Sequence, residues 1–172
     1  VVGSGAGMII ASRGVRAKMK VALVDAGPMG GTCLNSGCIP SKVLIYPADV
    51  IRAIEAARAV GVEARVERID FDLIMRRMHS VVDEGRRGME RSAAAAENLD
   101  WFRSWGEFVG DRMIKIGDET ITAPNIFIGS GARAAVPPIP GLVDAGYIDN
   151  VSVFALKRLP ESLTILGGGY IG

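Results

Sequence analysis

The chain has 172 residues, enough for one domain with a buried core, and its 49% hydrophobic and 6% aromatic content suits a globular α/β protein. A net charge of +1, without a basic stripe or a block of like charge, argues against nucleic acid, and no apolar run reaches the ~20 residues of a membrane span. Two cysteines are too few for a disulfide-stapled secreted scaffold and favour a reducing, cytoplasmic setting, where a close pair is more often catalytic.

Val1-Val2 is strand-like, so the natural start, with any targeting segment, is expected upstream. Gly3-Ser4-Gly5-Ala6-Gly7 follows, then a helical stretch over 8–17 and a short apolar strand over 20–25 that ends in Asp25. Gly30-Gly31-Thr32 opens a loop holding Cys33 and Cys38. Pro40 suits the first turn of a helix that continues to about residue 60, with Val43, Leu44, Val50, Ile51 and Ile54 at helical spacing. A second long helix is expected from the N-cap Asp70 to about Asn98. Leu73, Ile74, Met78, Val81 and Val82 form its buried stripe, and Gly85 and Gly88 weaken its middle.

From Trp101 the pattern becomes short strand-like pieces over 101–102, 107–109, 112–116 and 120–122, which together predict a small meander. Residues 125–128 predict a further buried strand ending at Gly129-Ser130-Gly131, and 136–141 a Pro-rich linker. Residues 162–166 predict a last strand entering Gly167-Gly168-Gly169-Tyr170-Ile171-Gly172.

A G-x-G-x-x-G turn after a strand lets backbone N–H groups and a helix N-terminus meet a pyrophosphate. Gly3 and Gly5 fit it, the sixth position is Met8, and Gly7 stands in for the third glycine if the turn is one residue short. Asp25, at the end of the next strand, is where an acid would hold an adenosine ribose; a plain glycine turn with a surface Asp is the alternative. Gly167, Gly169 and Gly172 satisfy the motif a second time, which suggests a second nucleotide site. The helix and strand that would complete it lie past residue 172, so the chain is expected to be a fragment.

Zinc or an iron–sulfur cluster needs about four ligands, and the chain offers Cys33, Cys38 and a distant His79. The spacing is not C-x-x-C, which leaves a redox disulfide or two buried thiols. Gly37 can distort the backbone enough to bring the two cysteines together, and Cys38 sits just ahead of a helix N-terminus that would favour a thiolate.

Residues 30–42, GGTCLNSGCIPSK, resemble the active-site signature of the class I pyridine nucleotide–disulfide oxidoreductases, which include dihydrolipoamide dehydrogenase and glutathione, mycothione and mercuric reductases. The resemblance covers the whole chain: the opening turn, Asp25 where the family more often has Glu, residues 128–133 with Ser130 in the usual Thr position, and the closing GGGYIG. It implies a Rossmann-like FAD-binding domain over 1–160, with a central parallel sheet, flanking helices and a small β-meander. It implies that 161–172 begin a truncated NAD(P)-binding domain at Gly167, Gly169 and Gly172.

By the same resemblance, Gly3, Gly5 and Gly7 hold the FAD pyrophosphate and Asp25 its ribose. Gly31 and Thr32 line the phosphate and ribityl region, Gly106 meets the adenine, and Ser130, Gly131 and Ala132 close over the cofactor. Cys38 is the flavin-proximal thiol that forms a charge-transfer complex, Cys33 the interchange thiol, and Lys42 tunes the flavin. The implied activity passes electrons between NAD(P)(H), FAD, the cysteine pair and a small-molecule or lipoyl-type disulfide, in a full-length homodimer. Ile39-Pro40-Ser41-Lys42 favours dihydrolipoamide dehydrogenase; a mercuric, mycothione or glutathione-type reductase, or a truncated non-catalytic flavin-binding module, are the alternatives. The family's acid–base His belongs to a C-terminal dimerisation domain. His79 matches no such position and is expected at the surface or satisfied in the core, while Trp101, Trp105 and the methionines are expected to pack in core or groove.

Overall fold

A computed structural model describes residues 1–172. The elements run α1 (Gly7–Arg16), β1 (Val21–Val24), α2 (Gly31–Ser36), α3 (Cys38–Ala56), α4 (Phe71–Ala94), β2 (Leu99–Phe102), β3 (Gly106–Gly110), β4 (Met113–Ile116) and β5 (Glu119–Thr122), with 3-10 turns at Ala57–Val60 and Ser152–Ala155. The chain divides into two compact units, one of Val1–Asn35 and Val82–Arg133, the other of Ser36–Val81 and Ala134–Gly172. No helix is long and apolar enough to cross a membrane.

The first unit is built on a parallel layer. β1 and β2 pair from Val21↔Leu99 to Val24↔Phe102. Val2 bridges to Val24 on one side and to Ile128 on the other, both parallel. The layer therefore runs Ile128, Val2, β1, β2, and every strand ends at the same edge, in Gly129, Gly3, Asp25 and Arg103. Side chains alternate faces along a strand, so neighbours Leu23 and Val24 serve different cores. Leu23, Met29 and Ala93 are buried with Val1, Met8, Met89, Leu99 and Trp101 on the helical face. Val24, Ile114 and Ile116 are buried with Val2, Phe102, Ile121 and Ile126 on the other, under the antiparallel β3-β4-β5 meander. This α/β arrangement, with helices, a parallel layer and a meander, matches the expected fold class.

Several local expectations change. Residues 101–102 belong to the parallel layer instead of the meander, because β2 satisfies the open edge of β1. The loop carrying Cys33 is helical over Gly31–Ser36. Residues 125–128 make one bridge, and Phe127 and Ile128 are 46% and 68% exposed, since no element covers them. Residues 162–166 form no strand and Leu163, Ile165 and Leu166 are exposed; an extended run without a partner leaves its hydrogen bonds to water.

In the second unit α3 carries Pro47 within it and ends in the Ala57–Val60 turn, closed by Gly61 in the left-handed region at φ +82°. The buried face of α4 keeps Met78 and Val82 of the expected stripe, adds Met75, and leaves out Leu73 and Val81, which are exposed. Met75, Met78 and Val82 follow the three-to-four-residue spacing of one helical face, and Leu73 and Val81 lie off it. Trp105, expected in packing, is 80% exposed.

Asp70 caps α4: its Oδ1 accepts the Leu73 N–H at 2.9 Å. That bond holds its carboxyl below the usual range, desolvation opposes it, and the Arg68 guanidinium at 2.7 Å adds to it. A depressed folded pKa stabilises above the unfolded value and is lost as pH falls through the folded one. Thermal melts of Asp70→Ala are expected to lie below the parent at neutral pH, with the gap narrowing as pH drops through the acid range. A gap independent of pH would mean that the carboxylate does not cap the helix.

Candidate functional site

The carboxyl edge of the parallel layer is where open α/β sheets place ligands, and the predicted glycines meet there. Gly3 has φ +94°, and a Cβ on it would run into the Gly129 carbonyl and lie 3.2 Å from the Ser130 nitrogen. Gly7 is buried as the first residue of α1, where a Cβ would stand 2.7 Å from Val1 Cγ1. Gly7 thus supplies the close helix–strand approach that the motif requires of its third glycine, and Met8 packs into the core beside Leu23. The α1 N-terminus has no side-chain cap and no acid in its first turn, so its dipole and leading N–H groups suit an anion.

Asp25 is tied to this turn. One carboxylate oxygen accepts the Ser4 N–H at 2.6 Å and the other the Gly27 N–H at 2.8 Å. A carboxylate has about four acceptor positions, so capacity for ribose hydroxyls remains. Ser4 is fully buried, and its Oγ accepts the Gly30 N–H at 3.0 Å. Gly31, at φ +58°, lies against the backbone of Gly5, and the Cβ of any larger residue there would collide with the Gly5 backbone. From the other side, a Cβ on Gly5 would stand 3.4 Å from Gly31 Cα. The start of the 30–42 segment is therefore docked on the glycine turn by backbone contact.

Thr32 and Cys33 are exposed on α2. Asn35 closes that helix: its Nδ2 donates to the carbonyls of Pro28, Met29 and Gly31 at 3.1, 3.2 and 2.9 Å, and its Oδ1 accepts from Arg86 Nε. Gly37 interrupts the helical path at φ −144° and ψ −118°, and Cys38 is the first residue of α3. Cys38 is exposed, as is Lys42 one turn on, and Ser41 Oγ donates to the Cys38 carbonyl at 3.2 Å. The exposure of both cysteines removes the buried-thiol alternative.

Gly106 opens β3, where a Cβ would stand 2.9 Å from Ile114 Cγ2 and 3.1 Å from Val24 Cγ1, so packing alone explains a glycine there. Ser130, Gly131 and Ala132 are exposed and follow the layer at Gly129. The first unit brings together Gly3, Gly5, Gly7, Asp25, Gly31 and Ser130, and also contains Thr32, Cys33, Gly106, Gly131 and Ala132. Cys38, Lys42, Gly167, Gly169 and Gly172 belong to the second, and the last three are exposed. His79 is exposed on α4.

Sequence reasoning missed Ser4, Asn35, Gly129 and Arg86. A small polar residue between two motif glycines was a usable signal for Ser4; Arg86 lies 51 residues from its partner and left none. A cavity of about 400 Å³ under Ile10, Ile121 and Phe127 is apolar and contains none of the predicted residues. The glycine turn, the uncapped N-terminus of α1 and the acid beside them fit a dinucleotide such as FAD.

The family model described as Pyridine nucleotide-disulphide oxidoreductase matches residues 1–172. A mercuric reductase of Bacillus cereus is 30% identical over 100% of this chain and 27% of its own length. A dihydrolipoyl dehydrogenase of Chlamydia pneumoniae is 33% identical over 100% of the chain and 38% of its own length. The solved structure of the HOCl-induced flavoprotein disulfide reductase RclA from Escherichia coli superposes with a TM-score of 0.83 at 33% identity, covering 99% of this chain and 36% of that one. The chain thus spans about a third of the length of these relatives. With all of its residues matched and its fold shared, the protein belongs to the pyridine nucleotide-disulphide oxidoreductase family, whose members are FAD- and NAD(P)-dependent flavoprotein disulfide reductases.

Proposed function

We propose that this chain is the flavin-binding portion of an FAD-dependent dithiol–disulfide oxidoreductase with Cys33 and Cys38 as its redox couple. The observation that carries this reading is the docking of Gly30-Gly31 on Ser4-Gly5, which ties the cysteine-bearing helix α2 to the turn that suits a pyrophosphate. Gly3, Gly5, Gly7 and the α1 N-terminus hold that pyrophosphate. Asp25 accepts from the adenosine ribose, and Gly106 presents backbone to the adenine. Gly31, Thr32, Ser130, Gly131 and Ala132 line the remaining length, and Lys42 places a positive charge by the flavin. Residues 1–160 form the FAD domain, and Gly167, Gly169 and Gly172 begin an NAD(P) site.

FAD, when bound, would supply the electron exchange with a nicotinamide that no side chain can perform. The chain's own chemistry is thiol exchange. The Cys33 thiolate attacks a substrate disulfide, forming a mixed disulfide and releasing one substrate thiol. Cys38 then attacks the Cys33 sulfur, releasing the second thiol and closing the Cys33–Cys38 bond. Two electrons and two protons pass to the substrate, and the reverse sequence oxidises a dithiol.

Dihydrolipoamide is the substrate placed first, from Ile39-Pro40-Ser41-Lys42 and the likeness to the dihydrolipoyl dehydrogenase. The likeness to the mercuric reductase favours a metal-thiolate substrate as the second reading. The full-length enzyme is proposed to be a homodimer.

The purified full chain is expected to be yellow and to gain a long-wavelength absorption band on dithiol reduction, which Cys38→Ser abolishes; flavin bands without that response would sink the redox role of the cysteines. NAD⁺ reduction with dihydrolipoamide, set against mercuric-ion-dependent NADPH oxidation, separates the two substrates by which one turns over. Gly31→Ala forces a left-handed residue into the Gly5 backbone, at a cost of about 1–3 kcal/mol. It is expected to weaken FAD binding at least ~tenfold (~1.4 kcal/mol), and parental affinity would show that this contact is no part of the cofactor site.

A further inference from the structure

We propose that Arg86 is a positioning residue for the Cys33–Cys38 couple and acts through Asn35, an inference that rests on the redox reading above. Helix α2 has six residues, far below the ~12–15 at which an isolated helix becomes marginal in water. Its orientation must therefore come from what it touches. Two successive residues of α2 meet two successive residues of α4. Leu34 packs on Gly85, where a Cβ would stand 2.7 Å from Leu34 Cδ1, and Asn35 meets Arg86.

The second contact has a direction. The Asn35 amide has one end that only donates and one that only accepts. Arg86 Nε, a charged donor, faces Oδ1, which turns Nδ2 toward the Pro28, Met29 and Gly31 carbonyls. The Pro28 and Met29 carbonyls belong to the loop that leads into α2, the Gly31 carbonyl is that helix's own first one, and Met29 is fully buried. Arg86 is itself steadied by Asp83 Oδ1 at 3.2 Å, one turn back on α4, and its side chain is 32% exposed. The guanidinium thus locks an amide that staples α2 to a fixed loop, and Cys33 lies two residues before that staple.

A disulfide closes only when its Cα atoms come within about 4.4–6.8 Å. Loosening α2 therefore disfavours the Cys33–Cys38 bond relative to the two thiols, and the couple becomes more oxidising. The exchange is defined: the protein disulfide breaks, dithiothreitol closes to its cyclic disulfide, and two electrons and two protons move to Cys33 and Cys38.

The test is the equilibrium of that exchange in the full chain, read by maleimide labelling across dithiothreitol redox buffers. Arg86→Met is expected to shift it at least ~tenfold toward the dithiol, about 30 mV for a two-electron couple. Arg86→Lys, which keeps a charged donor, is expected to recover most of the shift, and Asp83→Asn to move it less than about twofold, as exposed ion pairs contribute little. In an Asn35→Ala background the Arg86→Met shift should disappear, because the two residues act as one unit. Where Arg86→Met does not fold, Arg86→Gln carries the same comparison. A parental equilibrium in the Arg86 variant, or an undiminished shift in the Asn35→Ala background, overturns the proposal while leaving the redox reading intact. A parent whose two thiols do not titrate as a pair overturns both.

Discussion

The arrangement depends on a backbone-to-backbone approach. Gly5 and Gly31 touch with no side chain between them, and any larger residue at position 31 would have to occupy the Gly5 backbone. Ser4, between Gly3 and Gly5, reinforces the contact in two directions: its N–H reaches Asp25 and its hydroxyl receives Gly30. One four-residue turn thereby joins the end of β1, the start of α1 and the start of the 30–42 segment. A buried hydroxyl must be hydrogen-bonded to be tolerated, so Ser4 stabilises this geometry only while Gly30 stays docked.

The layer beneath that turn follows from alternation in β1. Leu23 commits one face to Met29 and Ala93, and Val24 commits the other to Ile114 and Ile116. Fully burying such a side chain stabilises by about 1.5–3 kcal/mol relative to exposure. Both faces being apolar, the parallel strands must be covered on both sides, by helices and by the meander. The carboxyl edge is left open, and it is there that Gly3, Asp25 and Gly129 gather.

Much of this was legible because it is local. The periodicity of 8–17 and 71–94 and the alternation of 112–122 set α1, α4 and the meander, and the first glycine motif marked the turn and its acid. What was not legible depends on partners far along the chain. The parallel pairing of 99–102 with β1 is a choice between distant edges, and an apolar run such as 162–166 shows a preference for extension without showing a strand to pair with. In α4 the burial of Met78 and Val82 was legible, while Met75 was missed and Leu73 and Val81 were wrongly included, because all are apolar and only packing distinguishes them. Asn35 lay inside a recognisable motif, yet its contact with Arg86 spans 51 positions and has no sequence pattern.

In the proposed cofactor site the turn and Asp25 grip the adenosine diphosphate half of a dinucleotide flavin. Titrating the flavin-free full chain with FAD and with FMN tests it most directly, since FMN keeps one phosphate but lacks the adenosine and the second phosphate. FAD is expected to bind at least ~tenfold tighter than FMN, a difference of about 1.4 kcal/mol, with the advantage reduced in Asp25→Ala. Equal affinity for the two flavins, or no binding of either, would contradict it.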